Sequence, residues 1–317
     1  MSEATYGDVT AEYRALRGGA GLVETPHELV WVRGGDAVSF LDGLLSQDIA
    51  GMAAGTVGRS FLLQARGKIE ALLWVLRGDR DVGLIADPGC GGALAEALER
   101  FRFRVDATVE AGPPAAEVWG PAAPAALATA GLPAPEGWTG CEGGIVARFP
   151  LGGLDRYLVP AGAAAGLGDA GAVRCGTIAA TTVRVEAGEP WTGVDVDGST
   201  IPQETGLVPA AVSFSKGCYL GQELVARIDS RGRVNRRLRA VVLTDTVIPP
   251  EGAVVKAGDL EAGTITSVGE SLAVRAPVAL AVLRREAEPG ARVEIEWDGG
   301  TAGATVAEVP LDDFSTG

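Results

Sequence analysis

From Leu238 onward the chain breaks into short apolar runs separated by turn residues, and that rhythm leaves few folds open to it. Ala240-Val241-Val242-Leu243, Ala253-Val254-Val255, Gly263-Thr264-Ile265-Thr266, Ala279-Leu280-Ala281-Val282-Leu283 and Val293-Glu294-Ile295-Glu296 are each of strand length. Strands repeated at this spacing suggest a small closed barrel. The sequence therefore predicts a β-barrel domain over 236–317.

The part before it has a different texture. Residues 36–49 put Val38, Leu41 and Leu45 on one helical stripe, with Phe40 and Leu44 beside it. Phe61-Leu62-Leu63 and Leu72-Leu73-Trp74-Val75-Leu76 read as buried strands around the turn Arg66-Gly67-Lys68, and Val82–Ala86 as another. Leu94, Leu98 and Phe101 mark a second amphipathic helix from about Gly92, and 105–109 alternates like a strand after it. Residues 111–140, rich in Pro, Ala and Gly, read as a loop-dominated connection with a short helix at 122–130. A second unit spans 141–235, in which Val183-Arg184-Val185-Glu186 alternates like a strand. This mixed order predicts the α+β class. The domains expected are 1–235, with subdomains of roughly 1–110 and 141–235, and then the barrel.

A length of 317 residues and 47% hydrophobic content are ample for a core without disulfide or metal staples. The net charge of -14 argues against general nucleic-acid affinity, because phosphate binding draws on surface cations. One stretch runs the other way. Arginines at 227, 231, 233, 236, 237 and 239 face a single acid, Asp229. They form either a solvated surface paired with the acidic remainder or an anion site beside Cys218. The four cysteines, at 90, 141, 175 and 218, form no Cys-x-x-Cys pair, so neither a resident metal nor a permanent cluster is expected. No apolar run follows a basic amino-terminal segment, and no stretch of about 18 apolar residues suits a membrane span. A cytoplasmic protein with free thiols is the expectation.

Several familiar chemistries find no support. Gly166-x-Gly168-x-x-Gly171 matches a dinucleotide fingerprint on paper, but no strand runs into it and no amphipathic helix opens after it. No phosphate-cradling Gly-x-x-x-x-Gly-Lys loop occurs. His27 is the only histidine and no Gly-x-Ser-x-Gly elbow is present, which argues against a Ser-His-Asp hydrolase.

The run Lys216-Gly217-Cys218-Tyr219-Leu220-Gly221-Gln222-Glu223 carries the chemistry. Glycines at 217 and 221 let the backbone take angles that a side chain forbids, and Gly221–Arg227 reads as a helix start. A thiol near a cation such as Lys216, or near a helix N-terminus, has its pKa lowered and its thiolate fraction raised. The plain alternative is a small buried hydrophobe, as most free cysteines are.

This run resembles the signature of the YgfZ family, folate-binding proteins related to the glycine-cleavage T-protein and implicated in iron-sulfur protein maintenance and tRNA modification. Thr182–Pro190 is similar to the family's Arg-x-Glu-x-Gly element. Ile201-Pro202-Gln203-Glu204, Ala20–Glu24, Asp36–Leu41 and Ser46-Gln47-Asp48 extend the likeness over nearly the whole chain. The resemblance implies a T-protein-like fold of two interwoven antiparallel-sheet subdomains with a carboxy-terminal barrel. It also implies a reduced folate, tetrahydrofolate, as cofactor. Glu186, in the same element as Arg184, would accept hydrogen bonds from the pterin, a pairing suited to a carboxylate. Tyr219 and Trp191 are candidates for the ring faces. Gly221, Gln222, Glu223 and Arg227 would complete the site, the arginine holding an anionic tail or partner. Cys218, tuned by Lys216, would be the reactive thiol. The partners implied are iron-sulfur proteins or their assembly machinery, with any effect on tRNA indirect.

The chain departs from active T-proteins after Gly67. Those resemble Gly-Gly-x-x-Asp-Asp, and one of the aspartates is required for aminomethyl transfer; here Ala71 and Leu72 stand at the acidic positions. T-proteins also carry Asp where Cys218 stands. Glu70 is a candidate for a displaced base, a role that only its geometry decides. A folate-dependent aminomethyltransferase and a non-catalytic binding scaffold are the alternatives to a YgfZ-like role.

Overall fold

The computed structural model describes residues 3–24 and 27–311. Its first half runs α1 (Val9–Gly18), β1 (Gly21–Val23), β2 (Glu28–Arg33), α2 (Ala37–Leu44), β3 (Val57–Leu63), β4 (Ile69–Arg77), β5 (Val82–Ala86), α3 (Gly91–Glu99) and β6 (Thr108–Ala111). There follow β7 (Ala115–Trp119), α4 (Ala123–Thr129), β8 (Trp138–Cys141), β9 (Gly144–Arg148), β10 (Arg156–Pro160), α5 (Ala164–Asp169), β11 (Val173–Cys175), α6 (Thr177–Ala187), α7 (Val208–Ala211) and α8 (Gln222–Arg231). The last part is β12 (Arg236–Leu243), β13 (Val254–Ala257), β14 (Leu260–Ser271), β15 (Ala276–Arg284), β16 (Arg292–Trp297) and β17 (Gly300–Ala307).

These make one sheet in the order β3-β4-β5-β2-β6, a second in the order β11-β1-β7-β10-β9-β8, and a closed barrel β12-β15-β14-β13-β16-β17. The class is α+β, as the mixed order predicts. The two sheets are interwoven, because β1 leaves the first segment to lie antiparallel to β7 and parallel to β11. Alternation along β4 explains how the first sheet serves two cores. Ala71, Leu73 and Val75 face α2 and α3, packing on Leu41, Leu94 and Leu98. Leu72 faces the opposite way, toward Phe61 and Tyr219. Trp31, Leu76 and Ile85 meet Phe149 and Leu158 of the second sheet. The barrel is filled by its own inward residues, among them Val241, Ile265, Leu283 and Ile295.

Four expectations are corrected. Val183–Glu186 is not a strand but part of α6, which ends at Gly188 in the left-handed region, φ 67°. Its apolar and polar residues are buried alike, so the alternation of Val and charge does not reflect two differently exposed faces. The stretch 111–140 carries β7 and β8 as well as its helix. Phe101 lies beyond the end of α3 and is exposed. The barrel has a sixth strand, β17, whose Gly, Ala and Thr content gives little apolar signal. Residues 312–317 of the expected barrel domain lie outside the described residues. No helix among the described residues is long and apolar enough to cross a membrane.

Candidate functional site

The Lys216–Glu223 run is pinned against the turn between β3 and β4. Gly221 has φ 78°, and a Cβ there would stand 2.5 Å from the Gln64 carbonyl oxygen. Gly67, φ 75°, returns the contact, its missing Cβ lying 2.6 Å from Leu224 Cβ. Gly217, by contrast, needs no unusual angle and has open space around it, so only the second glycine of the motif is a backbone requirement. Tyr219 is buried with Phe61, Leu63 and Leu72, and burial pushes its hydroxyl up to about 12. The helix start is as predicted: α8 begins at Gln222, whose Oε1 accepts from Tyr219 N at 3.2 Å. Cys218 itself is exposed.

Lys216 does something the motif does not reveal. Its Nζ donates to the carbonyls of Asp42, Leu45 and Gln47 and to Asp42 Oδ1, and its side chain is 1% exposed. These four acceptors sit at the C-terminal end of α2, where a cation meets the negative end of the helix dipole. The ammonium is thus engaged in holding the loop down. Glu223 and Arg227 pair with one another on the exposed face of α8. Of the other arginines in the basic stretch, Arg236 binds Glu204 with two nitrogens and Arg239 binds Glu308, while Arg233 and Arg237 are exposed. The side chain of Arg231 lies outside the described residues.

The two residues of the upstream element sit elsewhere. Glu186 accepts from Tyr13 Oη at 2.7 Å and lies 3.5 Å from Arg17 Nε, so it ties α6 to α1. Arg184 donates to Asp195 at 2.5 Å, to the Glu189 carbonyl at 2.7 Å and to Ser267 Oγ, binding α6 to the barrel, and it covers the Trp191 ring at 4.4 Å. The hydrogen bonds of Glu186 and the contacts of the Cys218 loop run to different elements.

Between the two sheets lies a buried cluster that the sequence did not announce. Glu189 pairs with Arg59 of β3 and, at 2.8 Å, with Arg156 of β10. Burial opposes its ionisation, but Arg156 and Arg59 prevail and hold the carboxyl at about 2. Arg59 lies over the Trp74 ring at 4.3 Å and Arg156 over Phe149 at 4.1 Å. His27 bonds Glu117 through Nδ1 at 2.9 Å, stands 3.6 Å from Asp87, and meets Phe149 and Trp191 edge to face. Burial raises the Asp87 carboxyl above its usual range. Isolated buried charges have no sequence pattern; each here reads as a surface residue until its partner, up to 130 positions away, is brought alongside.

Leu72 opens onto this cluster. A cavity of about 10 Å³ is lined by Phe61, Leu72, Trp74, Asp87, Arg59 and Glu189, which is room for a single water. The groups around it suit a pterin in kind: two carboxylates for N–H donors, two aromatic faces, and the Trp191 Nε1 of the same cluster, buried with no hydrogen-bond partner among the described residues. They suit it in space only once Arg59 leaves Glu189 and the Trp74 face. Ala71 is turned into the α2/α3 core, and Glu70 is held by Arg100 at 2.7 Å.

Residues 236–313 match the model of the glycine cleavage T-protein C-terminal barrel domain. The chain is 31% identical over 309 residues to the human protein named iron-sulfur cluster assembly factor IBA57, mitochondrial, covering 89% of this chain and 82% of that one. The chain belongs to the glycine-cleavage T-protein-like family. Within the T-protein-like family it is also 27% identical over 339 residues to an aminomethyltransferase of Geobacillus thermodenitrificans, covering 96% of this chain and 90% of that one. The crystal structure of glycine cleavage system aminomethyltransferase T from Bartonella henselae superimposes with a TM-score of 0.85 at 26% identity, over 98% of this chain and 91% of that chain. The T-protein-like fold expected from the sequence is therefore the fold observed.

Proposed function

We propose that the chain is a cytoplasmic, folate-binding protein of the YgfZ kind that supports iron-sulfur cluster assembly or repair, and tRNA modification only indirectly, and that it does not transfer aminomethyl groups. The observation that carries this reading is the pair of positions after Gly67. Ala71 and Leu72 are 4% and 6% exposed and packed among aliphatic and aromatic side chains, so the wall where T-proteins need a carboxylate has none to orient an amine or move a proton. The thiol absent from T-proteins at position 218 is meanwhile open to solvent. The likeness to IBA57 supports the same reading.

In this proposal the reduced folate takes the junction between the sheets. Asp87 and Glu189 serve as its carboxylates in place of Glu186, which ties α6 to α1 through Tyr13 Oη and lies 3.5 Å from Arg17 Nε. Tetrahydrofolate supplies one-carbon chemistry when bound; the chain's own residues supply recognition, and Arg59 must release Glu189 for the ring to enter. Cys218, kept at the surface by Lys216, Gly221 and Tyr219, is the thiol on which support of iron-sulfur proteins depends. The exposed Glu223, Arg227 and neighbouring arginines offer polar contacts to a partner or an anionic tail.

Two measurements test this. Calorimetric titration of tetrahydrofolate should give binding to wild type that Glu189→Gln weakens by about tenfold or more, the loss of a charge-assisted pair, while Glu186→Gln changes it little. Cys218→Ala should keep folate affinity yet lose rescue of iron-sulfur enzyme activity in a strain lacking the protein. Methylene transfer by the purified chain from a glycine-derived amine would overturn the reading in favour of an aminomethyltransferase.

A further inference from the structure

Arg59 of β3 and Trp74 of β4 stand directly opposite one another in the antiparallel register, as do Phe61 and Leu72 two residues along. All four therefore lie on one face of the sheet, the face turned to the junction. This register lays the Arg59 guanidinium over the Trp74 ring, its carbon 4.3 Å from the ring centre, while Nη2 pairs with Glu189 Oε2. A planar N–H group stacked on an aromatic face and donating from its edge to a carboxylate is a geometry that arginine fills well. A pterin fills the same geometry.

The amino-pyrimidinone edge of a pterin is a guanidine closed into a ring. It is planar and offers adjacent N–H donors, and it differs from the Arg59 side chain in carrying no charge. The charges at the junction suit that difference. Glu189 is bound through Oε1 by Arg156 and through Oε2 by Arg59. With Arg59 withdrawn, Glu189 and Arg156 remain as a balanced pair with one oxygen free, so an uncharged ring enters without leaving a buried charge unpaired. Asp87 lines the same cavity and offers a second carboxyl. Arg59 is also the cation placed to move. Its strand, β3, is the edge of its sheet, and its side chain is 16% exposed against 0% for Arg156. The space left beside it, about 10 Å³, admits a water and no ring.

We propose that Arg59 is an internal stand-in for the ligand. Its guanidinium occupies the Trp74–Glu189 subsite that the amino-pyrimidinone edge of the folate takes, and binding exchanges one planar N–H edge for the other. This inference rests on the folate reading above and adds to it the class of group the subsite accepts, an uncharged planar ring with a guanidine-like edge. The contact is autoinhibitory. Only molecules in which Arg59 has left are competent to bind, so the apparent affinity of wild type is lowered by the fraction they make up.

The test is calorimetric titration of tetrahydrofolate into full-length wild type and Arg59→Ala, with para-aminobenzoylglutamate, the folate tail without its pterin, titrated in parallel. Removing the stand-in should tighten tetrahydrofolate binding by about tenfold and leave the tail fragment unchanged. Methylguanidinium at about 10 mM should take the vacated place, raising the melting temperature of Arg59→Ala and not that of wild type. Methylammonium at the same concentration should raise neither. Should Arg59→Ala melt too low to titrate, Arg59→Lys keeps a cation for Glu189 without the planar edge, and it too should bind tetrahydrofolate more tightly than wild type. Tetrahydrofolate bound by wild type and bound equally or more weakly by these variants overturns the stand-in and leaves the folate reading standing. An equal gain for the tail fragment also overturns it. Binding by neither wild type nor variant overturns the folate reading and the stand-in together.

Discussion

Lys216 Nζ stands 3.0 Å from Asp42 Oδ1 at the C-terminal end of α2, and three backbone carbonyls close around the same ammonium. With its side chain 1% exposed, this cation is stabilised by those acceptors and by the Tyr219 ring, whose centre lies 5.5 Å from Nζ. Lys216→Met would leave Asp42 and the carbonyls without it. The expected cost is about 3 kcal/mol, in the range for breaking a buried charged pair, read as a lowered urea midpoint at unchanged slope. Alkylation of Cys218 in the still-folded variant should change by no more than about twofold, since the ammonium serves the loop's position before the thiol's ionisation. A large fall in thiol reactivity without loss of stability would show the reverse.

The loss of stability in acid should trace to Glu189 more than to the surface carboxylates. Its carboxyl is held at about 2 in the fold against an ordinary value of 4.5. A depressed folded pKa means stability that is fully present above pH 4.5 and is lost as pH falls toward 2. Asp87, raised by burial, acts in the opposite sense: its ionisation costs stability, so protonating it on the way down is favourable. Urea midpoints between those pH values should therefore fall in wild type, and should fall less steeply in Glu189→Gln, which starts lower at neutral pH because Arg59 and Arg156 have lost their shared anion. Parallel curves for the two proteins would assign acid sensitivity elsewhere.

Leu72→Asp restores a carboxylate at a T-protein acidic position, but into a cluster of Phe61, Tyr219, Val208 and Val225. An unpaired buried carboxylate is expensive, and a loss of about 3 kcal/mol or more is expected by thermal melting. Aminomethyl transfer should not appear, because Arg59 and Trp74 still fill the space before it. Appearance of turnover would mean that one carboxylate was all the junction lacked.

The parts legible in the sequence were those written in local pattern. Turn-bounded apolar runs give five of the barrel strands, and helical spacing gives α2 and α3. The α6 helix was misread because Val183–Glu186 alternates apolar and charged residues although both kinds are buried: Arg184 and Glu186 find Asp195 and Tyr13 on other elements. The same reason hid the Arg59–Glu189–Arg156 cluster. A charge partnered across the fold looks in sequence like a charge facing water. Cys218 could be picked out by its frame, but the direction in which Lys216 points depends on α2, whose end lies some 170 residues earlier.

The two glycines of the Cys218 run make a contrast that local pattern cannot show. Gly221→Ala would force a side chain into φ 78° and within 2.5 Å of the Gln64 carbonyl. The left-handed backbone alone costs about 1–2 kcal/mol, and the clash with backbone atoms adds about 1–3 kcal/mol of overpacking. The 64–68 turn and α8 must then separate, so faster amide exchange should spread through both segments. Gly217→Ala meets ordinary backbone angles and open space, and should stay within about 0.5 kcal/mol of wild type. Because Cys218 lies between the two positions, the pair also separates presentation of the thiol from its chemistry. Gly221→Ala should lower rescue of iron-sulfur enzyme activity with the cysteine still present, whereas Gly217→Ala should leave it intact. Equal rescue by both would mean that the thiol works without being held against the β3–β4 turn.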